Sequence, residues 1–366
     1  MLTRREREGG FEGEGNIARS GLASSSRNIC VDTGDMRIYM RIWLICCVAF
    51  CFSWPMVTPM AVAQAPEAAP TFTVSDADLS QNPALLVYGD MRFTDPANTK
   101  VANPQARKLL AERVALIHPD AVELTGDVPY AGGKAADYDE YRAETGAWRA
   151  EKLRVYPALG NHEFAGDLNE CLRNWWAAFP ELRNRRWYSV LLGRRIELIN
   201  VDSNSDLLPD SPQMRWLEDQ IGRLPKTVEF VFIGLHHPPV ADIQTLNEVD
   251  HNPRPNEVAL RDYVSRVAPA SQARFVVVAG HIHNYERFEL NGVTYLVSGG
   301  GGARPYEVQR GPEDKYQTTD SVNFHYVLFR LEGDALHATM YRLADPSAGK
   351  PEWQARDNFV IAAKGR

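Results

Sequence analysis

Five times along this chain a short apolar run, of a length that suits a buried strand, gives way at once to a residue able to ligate a metal ion. Leu85-Leu86-Val87-Tyr88 leads into Gly89-Asp90, and Ala121-Val122-Glu123-Leu124-Thr125 into Gly126-Asp127. Val155-Tyr156-Pro157-Ala158-Leu159 leads into Gly160-Asn161-His162-Glu163, and Phe230-Val231-Phe232-Ile233 into His236-His237-Pro238-Pro239. The last run, Phe275-Val276-Val277-Val278-Ala279, precedes Gly280-His281-Ile282-His283-Asn284-Tyr285-Glu286-Arg287. In layered α/β folds, ligands gather beyond the carboxyl ends of strands, so these five ends are expected to converge. The i, i+2 spacing of His281 and His283 turns both imidazoles to one side of an extended backbone. Gly280 is expected to let the chain leave its strand through a conformation closed to other residues.

Between these runs the pattern predicts helices over 105–117, 137–153, 168–179, 213–224 and 257–267, and a strand pair over 187–192 and 195–201 around Gly193. Further strands are expected at about 293–298, 322–331 and 335–343. Alternating strand and helix permits a doubly wound single sheet, but the β-rich tail favours two sheets packed face to face. The polar, proline-containing stretch 240–257 is long for a connection and is expected to serve the site. Ser298-Gly299-Gly300-Gly301-Gly302 lacks the lysine and hydroxyl spacing of a nucleotide loop and fits close backbone approach beside the metals.

Residues 1–65 stand apart from this pattern. Arg37 and Arg41 precede the apolar run from Ile42 to Phe52, and Ala61-Val62-Ala63-Gln64-Ala65 follows, so 36–65 reads as a secretory signal. The polar stretch 1–35 reads as a disordered or over-extended start, 66–84 as a lead-in, and 85–366 as one catalytic domain. Four of the five cysteines lie in the first 65 residues, leaving only Cys171, so no disulfide framework is expected. The protein is therefore expected to be exported, periplasmic or extracellular, with no membrane span in the mature chain. Of the 40 Lys/Arg and 47 Asp/Glu, seven and six fall in residues 1–65, so the remainder stays acidic. That balance argues against a nucleic-acid-coating surface but leaves room for a small phosphorylated substrate, because bound metals would supply the local positive field. Nothing in the sequence indicates a protein partner.

The order Gly-Asp, Gly-Asp-x-x-Tyr, Gly-Asn-His-Glu, an apolar strand ending in His, and Gly-His-x-His resembles the calcineurin-like metallophosphoesterases. Within them it is most similar to the purple acid phosphatases. The resemblance implies a four-layer α/β/β/α sandwich of two mixed β-sheets flanked by helices, with two metal ions at one sheet edge. Carried over residue by residue, it implies Asp90, Asp127, Tyr130 and His283 at the first metal, and Asn161, His236 and His281 at the second, with Asp127 bridging. His162 would act as general acid or as donor to the phosphoryl oxygens. The implied reaction is hydrolysis of phosphomonoesters by attack of a metal-bound hydroxide. The same motifs admit a phosphodiester or a nucleotide.

One departure from the superfamily stands out: its histidine two places after the first aspartate is replaced in Asp90-Met91-Arg92, and arginine, always protonated, cannot ligate. The purple acid phosphatases also lack that histidine and carry a tyrosine three residues after the second aspartate, where Tyr130 stands. A phenolate favours a hard ion, which implies Fe(III) beside Zn, Fe(II) or Mn(II). Arg92 reads as a phosphate-binding or ion-pairing residue. The same departure leaves room for a reading of another class, a metal- or phosphate-binding protein without turnover. His237 fits either a place behind the ligands or a solvent-facing one, and His251 a substrate contact. His118, His325 and His337 read as structural. Asp202 and Glu286 could each hold a ligand imidazole or pair with arginine.

Overall fold

The computed structural model describes residues 70–244, 251–318 and 324–365. The expected signal segment and the stretch before it lie outside the described residues, as does the middle of the 240–257 connection.

Two mixed β-sheets face each other. The first has seven strands, in edge-to-edge order Phe72–Val74, Tyr188–Leu192, Ile196–Asn200, Phe230–Gly234, Arg274–Ala279, Val293–Ser298 and Tyr285–Leu290. The second has six, in order Trp353–Ala362, Ala335–Leu343, His325–Glu332, Ala84–Tyr88, Ala121–Leu124 and Val155–Pro157. In each, the strands that lead into the ligating clusters run parallel to one another. Their carboxyl ends therefore lie at a common edge.

The period-two pattern of the first sheet shows what covers each face. Phe230 and Phe232, with Val276 and Val278, join the core between the sheets, whereas Val231, Ile233, Phe275 and Val277 join a second core. That second core is closed by Met214 and Leu217 of helix Pro212–Gly222 and by Leu260 and Val264 of helix Pro255–Val267. Buried on both faces, these strands read as continuous apolar runs. Across the inter-sheet gap Phe232 meets Phe329 edge-to-face at 4.9 Å, a pair that adds roughly 0.5–1.5 kcal/mol beyond its area. Leu110 and Val114 of helix Pro104–Ile117 are likewise buried in the core that the second sheet shares.

Three helix starts, expected at 105, 213 and 257, fall at Pro104, Pro212 and Pro255 and are set by local residues. Asn103 and Ser211 cap their helices through the side chain with Pro104 and Pro212 at the first position, and Pro255 follows Arg254, which exchanges hydrogen bonds with Glu257. Helix Pro104–Ile117 ends at His118 in left-handed conformation, one residue before Pro119. The helix expected over 137–153 is instead two, Ala135–Glu144 and Gly146–Ala150. Thr145 bonds back through its hydroxyl to the Tyr141 carbonyl, and such back-bonding bends a helix at a position that the apolar pattern does not mark.

Five strands were not expected. Phe72–Val74, inside the supposed lead-in, pairs in parallel with Tyr188–Leu192 at the sheet edge. Tyr285–Leu290 begins within the ligating segment itself and pairs antiparallel with Val293–Ser298. Trp353–Ala362 closes the other sheet against Ala335–Leu343. A two-residue strand, Ile243–Gln244, at the start of the long connection pairs with Val308–Gln309. Among the described residues no helix is long and apolar enough to cross a membrane.

Candidate metal centre

Beyond Gly234 the chain delivers His236, fully buried, with Nδ1 2.8 Å from the Thr125 carbonyl. A carbonyl only accepts, so Nδ1 carries the proton and Nε2 presents its lone pair. Facing that lone pair are Asn161 Oδ1 at 3.0 Å and Asp127 Oδ1 at 3.2 Å. His281 Nδ1 joins them, 3.1 Å from Asn161 Oδ1 and 3.2 Å from His236 Nε2. Beside this group lies Asp90, buried, whose carboxylate accepts the His281 N–H at 2.9 and 3.1 Å. His283 directs Nδ1 to the Arg304 carbonyl at 2.6 Å, and its Nε2 lies 3.4 Å from Asp90 Oδ1. That Nε2 is buried without a hydrogen-bond partner.

The loops that hold these groups are strained where they ligate. Asp90, Arg92, Asp127 and His281 have φ of 62°, 49°, 53° and 70°, a left-handed conformation that costs a non-glycine residue roughly 1 kcal/mol or more. Backbone bonds between the first two loops hold them there: Asp90 N–H to Gly126 O at 3.0 Å, Arg92 N–H to Asp127 O at 2.9 Å and Phe93 N–H to Val128 O at 2.8 Å. Gly280 contributes in a way the sequence reading did not foresee. The left-handed turn falls on His281, and what position 280 requires is space, since a Cβ there would stand 2.4 Å from Asp90 Oδ2. His281 and His283 accordingly lie on a bend rather than in extended backbone, and they part, one toward Asn161 and His236, the other toward Asp90.

Burial raises the Asp90 pKa to about 7, opposed by His236 and reinforced by the charge of Asp127. For Asp127 burial acts in the same direction, but His236, His162 and Arg92 prevail and hold its carboxyl well below the usual range. Burial first, then Arg92, lowers His283 to about 3, and burial with His236 and His237 lowers His281. His281 and His283 are therefore held toward the neutral form, the form that ligates, with the Asp90 and Asp127 carboxyl groups beside them. A donor set of this kind fits metal cations: among the described residues Asp90, Asp127 and His236 each offer a ligand atom within 4.8 Å of the others, as do His236, His237 and His281.

A family model for calcineurin-like phosphoesterases matches residues 84–310, the span that carries every one of these groups. The chain belongs to that family. A nucleotide pyrophosphatase/phosphodiesterase from Hordeum vulgare is 23% identical over 255 residues, 60% of this chain and 68% of that one. A purple acid phosphatase from yellow lupin (Lupinus luteus) seeds has a similar fold, with TM-score 0.62 and 20% identity over 78% of this chain. The match spans only 54% of the lupin chain. A dimetal phosphatase from Danio rerio is similar over 81% of this chain and all of its own, with TM-score 0.50 and 13% identity.

The other residues singled out in the sequence lie at varying distance from this centre. Arg92 lies with Nε and Nη2 3.4 and 3.3 Å from Asp127 Oδ2, an ion pair beside the ligands. His162 donates its backbone N–H to Asp127 Oδ1 at 3.0 Å, sets Nδ1 2.5 Å from the Tyr130 carbonyl, and brings Nε2 to 3.9 Å from Asp127 Oδ2. Tyr130 packs its ring on His162, centroids 5.4 Å apart. His237 is buried behind the ligands, with Nδ1 2.8 Å from Ser203 Oγ and its ring 4.3 Å from that of His281. His251 reaches the centre from the long connection, its ring 4.6 Å from His281. Asp202 pairs with Arg186 at 2.5 Å, and Glu286 accepts the Asp242 N–H at 2.6 Å, so neither orients a ligand imidazole. A Cβ on Gly299 would stand 2.9 Å from Asp90 Oδ2, which bears out the close approach of the glycine run. His325 bonds Ser298 Oγ at 3.1 Å, His118 pairs with Glu151 at the surface, and His337 is exposed.

Two residues escaped the sequence reading. Glu163, buried, accepts the backbone N–H groups of Val128, Asp127 and Gly160 at 2.8, 3.1 and 2.6 Å, tying two ligand loops to each other. Tyr306 stacks on His283 at 4.1 Å. It follows the glycine run that leaves strand Val293–Ser298, so a sixth strand end carrying polar chemistry was there to be seen.

Proposed function

We propose that this chain is an exported, periplasmic or extracellular, binuclear metal-dependent phosphoesterase that hydrolyses phosphomonoesters. The observation that carries the reading is the meeting of His236 Nε2, Asn161 Oδ1, Asp127 Oδ1 and His281 Nδ1 at 3.0–3.2 Å, four atoms able to ligate one cation. Electron-rich atoms at that separation repel one another unless a cation lies between them. His283 Nε2, buried and unpartnered against Asp90, asks for a second. Asp90, Asp127, Tyr130 and His283 would hold the first ion, as Fe(III), and Asn161, His236 and His281 the second, as Zn, Fe(II) or Mn(II), with Asp127 common to both sets. When bound, the pair supplies a water acidic enough to act as nucleophile near neutral pH and neutralises charge on the phosphoryl oxygens.

The chain's own groups do the rest. The carbonyls of Thr125 and Arg304 fix the tautomers of His236 and His283, so each turns a lone pair inward. The Tyr130 carbonyl holds the Nδ1–H of His162, and Nε2, on the Asp127 side of the centre, would protonate the departing alkoxide from the imidazolium form, leaving the neutral ring. Arg92, its side chain 15% exposed, meets the phosphoryl group from the open side.

A second reading, cleavage of phosphodiesters or nucleotides at the same centre, is favoured by the similarity to the barley nucleotide pyrophosphatase/phosphodiesterase. Turnover of an aryl phosphate and of its bis-aryl diester, with and without chelator, tests both. Chelator-sensitive release from the monoester in excess of the diester is expected. The reverse preference selects the second reading, and no chelator-sensitive turnover on either leaves a binding protein.

A further inference from the structure

Three imidazoles, not two, surround the second metal position. Along a strand, neighbouring side chains point to opposite faces, but strand Phe230–Gly234 has ended and the chain bends at His236 and His237, so both rings turn to the same centre. The ring of His237 lies 4.3 Å from that of His281 and 5.0 Å from that of His236, and those two are themselves 5.0 Å apart. From its place behind the other two, His237 still brings a ring nitrogen within 4.8 Å of a nitrogen on each of them. Pro238 and Pro239 follow at once and stiffen the backbone that carries the pair.

One buried hydroxyl orients this third ring. Ser203 Oγ accepts the His237 backbone N–H at 3.1 Å and lies 2.8 Å from Nδ1 of the same residue. The Ser203 carbonyl is in turn held by Arg254 Nη2 at 2.7 Å, just ahead of helix Pro255–Val267. A hydroxyl oxygen has two lone pairs, so Oγ can accept from Nδ1–H as well as from the backbone. In that tautomer Nε2 keeps its lone pair. An Nδ1 fastened to an oxygen behind the ring is also the arrangement at His236, with the Thr125 carbonyl, and at His283, with the Arg304 carbonyl.

We propose that His237 is a third imidazole ligand of the second ion, through Nε2, with Ser203 holding its other nitrogen, and that the nitrogen-rich set so formed selects zinc over manganese. The inference rests on the phosphoesterase reading and narrows the choice which that reading leaves for the second ion. Imidazole nitrogen suits zinc, whereas carboxylate oxygen suits manganese and magnesium. His236, His237 and His281 would face the second ion with only Asn161 and the shared Asp127 supplying oxygen. The first ion would have two carboxylates, a phenol and the single imidazole of His283.

The test counts ligating nitrogens directly. Protein carrying nitrogen-15 in its histidine rings is loaded at both sites with cadmium-113, and each ring nitrogen bonded to metal is split by one-bond coupling in the NMR spectrum. Four split nitrogens are expected in the wild type, from His236, His237, His281 and His283. His237→Phe, which keeps a ring against His281 but no lone pair, should leave three. Zinc and manganese affinities are then read by competition with a chromophoric chelator. Ser203→Ala, which leaves every imidazole in place, is expected to weaken zinc binding by about 10- to 100-fold, as loss of the partner behind a ligating histidine does. His237→Phe is expected to weaken zinc more than manganese. Should that variant fail to fold, the wild-type count and Ser203→Ala decide by themselves. Three split nitrogens in the wild type, a count unchanged in His237→Phe, or wild-type zinc affinity in Ser203→Ala overturns the inference and leaves the phosphoesterase standing. A wild type in which no ring nitrogen is split overturns both.

Discussion

Glu123 offers a test of how the two sheets are joined. From strand Ala121–Leu124 its side chain crosses the core, fully buried, and Oε2 accepts Asn200 Nδ2 of the facing sheet at 3.0 Å. The same amide nitrogen also reaches Tyr188 Oη at 2.8 Å, and that hydroxyl donates to the Pro157 carbonyl at 3.0 Å. Two acceptors remain, Glu123 Oε1 and Asn200 Oδ1, both buried without a partner. They share one gap: a Cβ on Gly234 would stand 2.3 Å from the first and 2.0 Å from the second. A single proton on Oε1 satisfies both and closes an acid–amide pair between the sheets. Burial points the same way, raising the Glu123 pKa well above 4.5 against the opposing bond from Asn200.

A raised folded-state pKa means that the native protein holds a proton the unfolded chain has released. The stability this group confers is therefore full below the unfolded value and falls as pH rises toward the folded one. The slope in that window is about 1.4 kcal/mol per pH unit. Glu123→Gln replaces the acid hydroxyl by an amide N–H that does not titrate and keeps the pair at every pH. Urea unfolding of both proteins at pH 5, 6, 7 and 8, with the same metal in excess, isolates the term, because Glu163, Glu197 and the other buried carboxyls are common to both. The wild type minus variant difference is expected to decline by about 1.4 kcal/mol per pH unit for as long as the folded protein keeps the proton. Parallel profiles would refute the shared proton.

Three further outcomes follow from the site. Glu163→Gln sets an NH2 against backbone N–H groups where three now converge on a carboxylate; a loss of about 2–4 kcal/mol in unfolding free energy and roughly tenfold or greater loss of metal affinity are expected, read by denaturation and by metal titration. Arg92→Gly and Arg92→Ala remove the same charge, but only glycine is at ease at φ 49°, so the glycine variant should unfold about 1 kcal/mol less readily than the alanine one, and equal stabilities would show that the turn relaxes. If Tyr130 ligates Fe(III), the iron-loaded protein absorbs in the visible and Tyr130→Phe bleaches that band. A fully metallated, colourless wild type removes the phenolate from the first site.

The carboxyl-end clusters were legible because their chemistry is local: an apolar run forces a buried strand to end, and whatever polar residue comes next is delivered to the sheet edge. The helices that begin at Pro104, Pro212 and Pro255 were read from their apolar period as beginning at 105, 213 and 257, and the exact starts are set by the prolines and by capping from Asn103, Ser211 and Arg254. Edge strands such as Phe72–Val74 and Trp353–Ala362 were not, since an edge strand gains much of its stability from a neighbour that is far away in sequence. The break at Thr145 depends on one hydroxyl choosing a carbonyl, a choice the apolar period does not record.

The order of the ligating residues along the chain thus determined the family, the two-sheet architecture and the list of groups able to hold metal. Which of them meet was decided only by the fold. Four left-handed residues steer the ligand loops, Glu163 ties two of them together, and Gly280 leaves room for Asp90. The fold also sent Asp202 to Arg186 and Glu286 to the Asp242 backbone, and brought in Tyr306, which no motif had named. A side chain's chemistry is written at its own position, but its partners are set by distances that come into being only when remote segments are packed together.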